Sequence, residues 1–249
     1  MLRLFILLIA GIPNCLFSQD VSQLIKEAQL QESLFHENEA FLRYADILKK
    51  EPSNLAALCK CSELCSRIGA RQPGKDKMRP YFSAARNYAT LALKYYPNSS
   101  DANFVMAFAI GRASLVSSAK ERVALAKDVK YYAENAIRFD PNNFRAYHIL
   151  GRWNYEVSTL NIAEKSLVRI LYGKLPNASI QDAIVNFEKS RSLNPGFILN
   201  YLELARVYHH MDNDKKAIAN LHILLGLPNM IYDDTRAKVQ ARQMLTDWQ

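Results

Sequence analysis

PGFILNYLELARVYHHMDNDKKAIANLHILLGLP, residues 195–228, runs from one proline to the next over 33 residues. Tyr201, Leu204, Ala205 and Tyr208 fall three and four apart, the period of one helix face. The Asp/Asn-rich step at 212–214 has turn chemistry, and Ala217, Leu221 and Leu224 then resume the helical spacing. The stretch reads as two helices joined by a tight turn and closed by Pro228.

The same unit recurs upstream. Closing prolines stand at Pro52, Pro97, Pro141 and Pro195, several in near-identical settings: KKEPSN, KYYPNS, RFDPNN and SLNPGF. Tyr147, Leu150 and Gly151, then Ala183, Phe187, Ser190 and Pro195, repeat the small and large positions. Ala28, Ala40, Tyr44, Ile47 and Pro52 keep the phase at the other end. Units through Leu58, Cys61, Ser62 and Cys65, and through Met106, Ala107 and Ile110, are weaker. A large residue, a Leu, a small residue and an aromatic, then small residues on a second helix before Pro, is the tetratricopeptide (TPR) pattern with its period of about 34. Small residues let two antiparallel helices approach, and an aromatic fills the space beside them. No hairpin buries its apolar face alone, so neighbours must stack. The Pro–Asn/Ser step ends one helix and caps the next.

The expected fold is all-α: a solenoid of about five TPR-like hairpins over residues 20–249, with 233–248 as a capping helix. Spacings of 45, 44 and 54 between the earlier prolines leave room for insertions near 69–80, 114–122 and 158–178. The first (RQPGKDKMRP, 71–80) reads as a polar loop, the second as a lengthening of both helices around it.

Composition agrees. Only 8 glycines and 9 prolines occur in 249 residues, against 49% apolar residues, which disfavours many-turned β architectures. The net charge of +8 suits an anionic partner or surface. Its basic residues form no dense run, so nucleic acid is not the favoured partner. Arg3, the apolar run 4–12 and the polar step at Ser18 and Gln19 have the layout of a secretory signal over residues 1–19. That predicts an exported chain, periplasmic or secreted, or else membrane-anchored if the segment is retained. If residues 1–19, with Cys15, are removed, Cys59, Cys61 and Cys65 remain, an odd count with poor geometry for a shared metal, and they read as small packing residues.

The stretch 147–208 carries more than a generic repeat. LGRWNYEVS, the inserted ILYGKLPNASIQDAI and NFEKSRSLNPGF, with AKDVKYYAENAIRFDPNN upstream, resemble the regulator of microtubule dynamics family. The resemblance spans roughly residues 30–245. It implies a TPR-like fold that acts by binding, with relatives associated with microtubules and some with mitochondria or membrane contact sites. It implies no catalytic residues. An export signal would place this chain away from microtubules.

In such stacks the first helices line the concave face. The repeat phase puts Lys60, Arg67, Phe104, Phe108, Arg112, His148, Arg152, Tyr155, Leu202, Arg206 and His209 there. Arg112, Arg152 and Arg206 come from successive units, and such a row can grip a carboxylate of an acidic or C-terminal peptide. The alternative is that they pair with Glu156 and Glu203 within the face. In the insertion, Ile162, Val168, Leu171 and Tyr172 alternate with Lys165 and Arg169, a cationic amphipathic helix that lies on a membrane or docks on its own domain. His209, His210, Asp212 and Asp214 cluster, but turn chemistry accounts for them better than a metal. No cofactor, metal or catalytic motif is expected. Three functions are in contention: a protein- or peptide-binding scaffold, a lipid-binding or membrane-associated module, and an enzyme.

Overall fold

Each proline-closed unit folds as an antiparallel helix pair in the computed structural model, which describes residues 14–173 and 176–248, the side chains of 14–20, 171 and 172 excepted. No strand occurs among the described residues. α1 (Asn14–Ser33) pairs with α2 (Glu37–Lys50), α3 (Leu55–Ala70) with α4 (Lys75–Tyr95), and α5 (Ser100–Ser114) with α6 (Ala119–Phe139). α7 (Phe144–Ser158) pairs with α9 (Ile180–Leu193), while α8 (Ile162–Tyr172) is inserted between them in sequence. α10 (Ile198–His210) pairs with α11 (Asp214–Gly226), and α12 (Asp233–Asp247) packs on both. Five hairpins and a last helix thus form an all-α solenoid.

The closing steps work as their chemistry requires. After Pro52, Pro97 and Pro141, the side chains of Asn54, Ser99 and Asn143 accept from the backbone N–H of Ala57, Ala102 and Ala146. Each such cap is worth about 1 kcal/mol. At Pro195 the pattern changes: Asn194 Oδ1 accepts from Gly196 N, and Tyr201 donates its hydroxyl to the Pro195 carbonyl.

Within hairpins the small residues mark close approach. A Cβ on Gly151 would lie 2.7 Å from the ring of Phe187, which is fully buried. A Cβ on Gly69 would meet Tyr81 Cβ at 2.6 Å. Ala85, Ala89 and Ala92 of α4, and Ala133 and Ala136 of α6, are buried for the same reason.

The insertions differ from expectation in two of three places. The predicted loop at 71–80 is mostly helix: Gly74, at φ 81°, precedes α4, and Pro80 lies inside it. Pro80 is tolerated because the carbonyl it leaves unbonded belongs to Asp76, which is exposed to water. Near 114–122 only the second helix is lengthened; α6 has 21 residues and α5 has 15. The third insertion forms α8, opened by a reciprocal capping box between Asn161 and Glu164.

Cys59, Cys61 and Cys65 are free and buried, and burial pushes the Cys59 and Cys65 thiols up to about 12. They are packing residues of α3. The expected boundary at residue 19 falls inside α1; residues 1–13 lie outside the described ones.

Candidate binding groove

Successive first helices α3, α5, α7 and α10 touch one another in order, whereas the second helices are splayed to the outside. The first helices therefore make the inner face, and most of the expected groove residues lie on them.

At the amino-terminal end this face is an ion-pair network. Lys60 Nζ is 2.9 Å from Glu32 Oε2. Arg67, only 5% exposed, reaches Glu37 at 3.1 Å and Glu32 and Glu63 at 3.5 Å. Arg145, on α7, spans Glu63 (3.2 Å) and Asp101 (2.7 Å) and lies 4.2 Å over the Phe104 ring. Burial alone would raise the Glu63 carboxyl, but Arg67, Arg145 and Lys60 together hold it below its usual range. Phe104 itself is buried and stacks on half-buried Phe108, centroids 5.9 Å apart.

At the carboxy-terminal end the arginines divide. Arg152 bonds Glu156 at 2.6 Å and stands 3.9 Å from Glu203, whose charge is the main cause of its raised pKa. Arg206 donates to the same Glu203 at 2.8 Å and to Gln240 of α12 at 3.3 Å. Those two are paired within the face. Arg112 is not: no carboxylate lies within ion-pair distance of it among the described residues, and its buried Nε has no hydrogen-bond partner.

Three expected groove residues belong to the packing instead. His148 is buried against Phe197 and Phe187, its Nδ1 3.1 Å from Asn200 Oδ1. Asn200 donates its amide N–H to the Phe187 carbonyl, so its oxygen faces the ring and His148 donates from Nδ1. Leu202 is buried under α12, in a cluster with Ala237 and Ala241. His209 stacks on Trp248 with centroids 3.9 Å apart and bonds Asp214 at 2.6 Å. For Leu202 and His209 the cause is the C-terminal helix α12, which lies across α10 instead of standing clear of the groove. Tyr155 is half-buried, edge-on to His210. Asp212 takes the left-handed turn conformation (φ 55°), and among the described residues no three His, Cys, Asp or Glu side chains are grouped to hold a metal ion.

One contact had no sequence signal at all. Arg71, just past α3, donates to Asp233 at the start of α12 (3.0 Å), also binds Glu37, and lies 4.6 Å over the Tyr232 ring. Residues 162 apart in sequence thus clasp the two ends of the inner face.

α8 docks by Val168, 4% exposed, on the α6–α7 side, beside Trp153, which donates to the Ala126 carbonyl. Between these helices is a cavity of about 370 Å³ with largely apolar walls, flanked by Arg122, Lys127 and Lys130. Ile162 and Ile170 of α8 are exposed by 86% and 80%, Arg169 is exposed and Lys165 half-buried. The Leu171 and Tyr172 side chains lie outside the described residues. No helix among the described residues is long and apolar enough to cross a membrane.

A stack of hairpins with its first helices inside defines a TPR-like α-solenoid. The structure of a thermophilic TPR protein from Thermus thermophilus superposes on it with a TM-score of 0.65, covering 91% of this chain and 99% of that one at 15% identity. The chain belongs to the family described as regulator of microtubule dynamics protein 1-3, which matches residues 24–249. Regulator of microtubule dynamics protein 3 of Xenopus laevis is 28% identical over 74% of this chain and 39% of its own length. Protein 1 of Mus musculus is 27% identical over 76% and 62%, and protein 1 of Caenorhabditis elegans 23% identical over 86% and 96%. The chain therefore spans about two-fifths of the frog relative and nearly all of the nematode one.

These relatives correct the expected localisation. They are animal proteins named for microtubule dynamics, which is at odds with a periplasmic or secreted chain. The apolar run that suggested export lies in residues 4–12, outside the described ones.

Proposed function

We propose that this chain is a non-enzymatic helical-repeat scaffold whose inner face, across α3, α5 and α7, binds a segment of a protein partner. One observation carries the reading: that face is lined by ion pairs, stacked aromatics and an unpaired arginine, where simple packing would call for apolar side chains. A polar inner surface on a rigid solenoid suits recognition of an extended chain, through side-chain contacts spread over several repeats. Arg112 and its neighbours favour a segment that carries acidic groups. The names of the relatives make microtubules the first partner to test. Full-length protein titrated onto polymerised tubulin should co-sediment. Lys60→Glu and Phe108→Ala should weaken that binding, while Leu91→Asp on the outer helix α4 should leave it unchanged. Binding that ignores the inner-face changes would sink the groove reading.

A second reading, lipid binding or membrane association, has its own support in the α6–α7–α8 cavity and the exposed Ile162 and Ile170. Its apolar walls and basic rim suit an acyl chain with an anionic head group. In that case the full chain floats with anionic vesicles and Ile170→Glu reduces the bound fraction. Equal flotation of the variant, or none with wild type, counts against it.

A further inference from the structure

Five arginines around the inner face, Arg67, Arg71, Arg145, Arg152 and Arg206, each engage at least one carboxylate. Arg112 engages none among the described residues. Its Nε is sealed from water without a partner, and its guanidinium lies 4.9 Å over the Phe108 ring. Arg152 is the larger source of repulsion, and exposed Arg236 of α12 adds to it; Glu203 and Asp233 oppose them, but both are held by other arginines. Burial first, and Arg152 next, push the Arg112 pKa down to about 10, so it stays charged at neutral pH. A desolvated cation without a counter-ion costs folding stability. Within α5 only the Phe108 ring faces the guanidinium, a cation–π contact that offsets part of that cost and supplies no counter-charge.

We propose that Arg112 is the anchor of a carboxylate subsite in the groove, binding one carboxylate group of a bound peptide segment. This rests on the groove reading above and sharpens it. The charge balance selects the group: one free guanidinium fork matches one singly charged carboxylate. A phosphate dianion would need a second desolvated cation, and Arg152 and Arg206 are already committed to Glu203. Phe108 beneath the fork offers an apolar surface to the methylenes of the same side chain or terminus.

The test uses a pool of random octapeptides, part with free carboxylates and part amidated and acid-free, passed over immobilised full-length protein. Wild type should enrich carboxylate-bearing peptides. Arg112→Met should lower their affinity roughly tenfold or more, the loss expected for a charge-assisted hydrogen bond, and leave acid-free binders unchanged. Arg112→Lys should recover only part of the loss, since an ammonium lacks the fork. The same Arg112→Met variant should melt at a higher temperature than wild type, because it removes a half-buried charge that has no counter-ion. Unchanged enrichment by Arg112→Met would overturn the subsite while leaving the groove intact. A lower melting temperature would mark Arg112 as a structural residue and equally overturn it. Failure of wild type to retain any peptide would remove the groove reading and the subsite with it.

Discussion

Gly151 and Phe187 show how tightly single residues are specified in this stack. The ring occupies the space a side chain at 151 would need, and it is fully buried and cannot swing away. Gly151→Ala should therefore cost about 1–3 kcal/mol, the usual penalty for overpacking, seen as a lower urea midpoint; a neutral result would mean that α7 and α9 can part freely. This pair was legible in the sequence, because the repeat pattern demands a small residue facing an aromatic. His148 was not, since its partner Asn200 is 52 residues away and comes from another hairpin. Phase alone placed His148 on the inner face, and only packing turned it inward. Burial depresses its pKa to about 4. The unfolded chain, with an ordinary histidine, binds the proton more readily between about pH 6.5 and 4. The contribution of neutral His148 is thus complete above the upper limit and is lost as pH falls through that window. Between pH 7 and 5 wild type should lose about 2 kcal/mol more than a His148→Phe variant, measured by urea denaturation at both pH values. Equal losses would contradict a buried, neutral His148.

Among the elements, the hairpins were readable and their insertions only partly so. Capped Pro–Asn/Ser steps and three- and four-residue periodicity define a helix from within. The polar run 71–80 gives no such pattern, yet Lys75–Tyr95 is one helix because Gly74 supplies the entry conformation and Pro80 falls where its lost hydrogen bond faces water. α8 carried its own amphipathic signature, but whether that stripe met a membrane or the domain depended on tertiary contact. The contact is through Val168, so Val168→Asp should undock α8 by forfeiting about 1.5–3 kcal/mol of burial. Trp153 fluorescence should then shift to the red while the five hairpins still melt as one unit. An unshifted spectrum would place the docking contact elsewhere.

Across the whole molecule, two features follow from curvature and from no local signal. α12 lies over α10, so Leu202 is covered, Arg206 bonds Gln240 and His209 stacks on Trp248, and Arg71 meets Asp233 to clasp the ends of the inner face. Curvature brings residues 162 apart into contact, and neither partner of that pair announces the other. A double-mutant cycle over Arg71→Ala and Asp233→Ala should return a coupling of about 1 kcal/mol that shrinks with added salt. Zero coupling would mean an open stack in solution. The same curvature creates the inner face proposed to bind a partner. The most direct test of that role is a photo-crosslinking residue placed at Lys60, on the inner helix α3, or at Leu91, on the outer helix α4, in full-length protein mixed with polymerised tubulin. Crosslinks to tubulin should form from position 60 and none from position 91. Crosslinks from position 91 alone, or no association with the polymer from either variant or wild type, would contradict an inner-face scaffold.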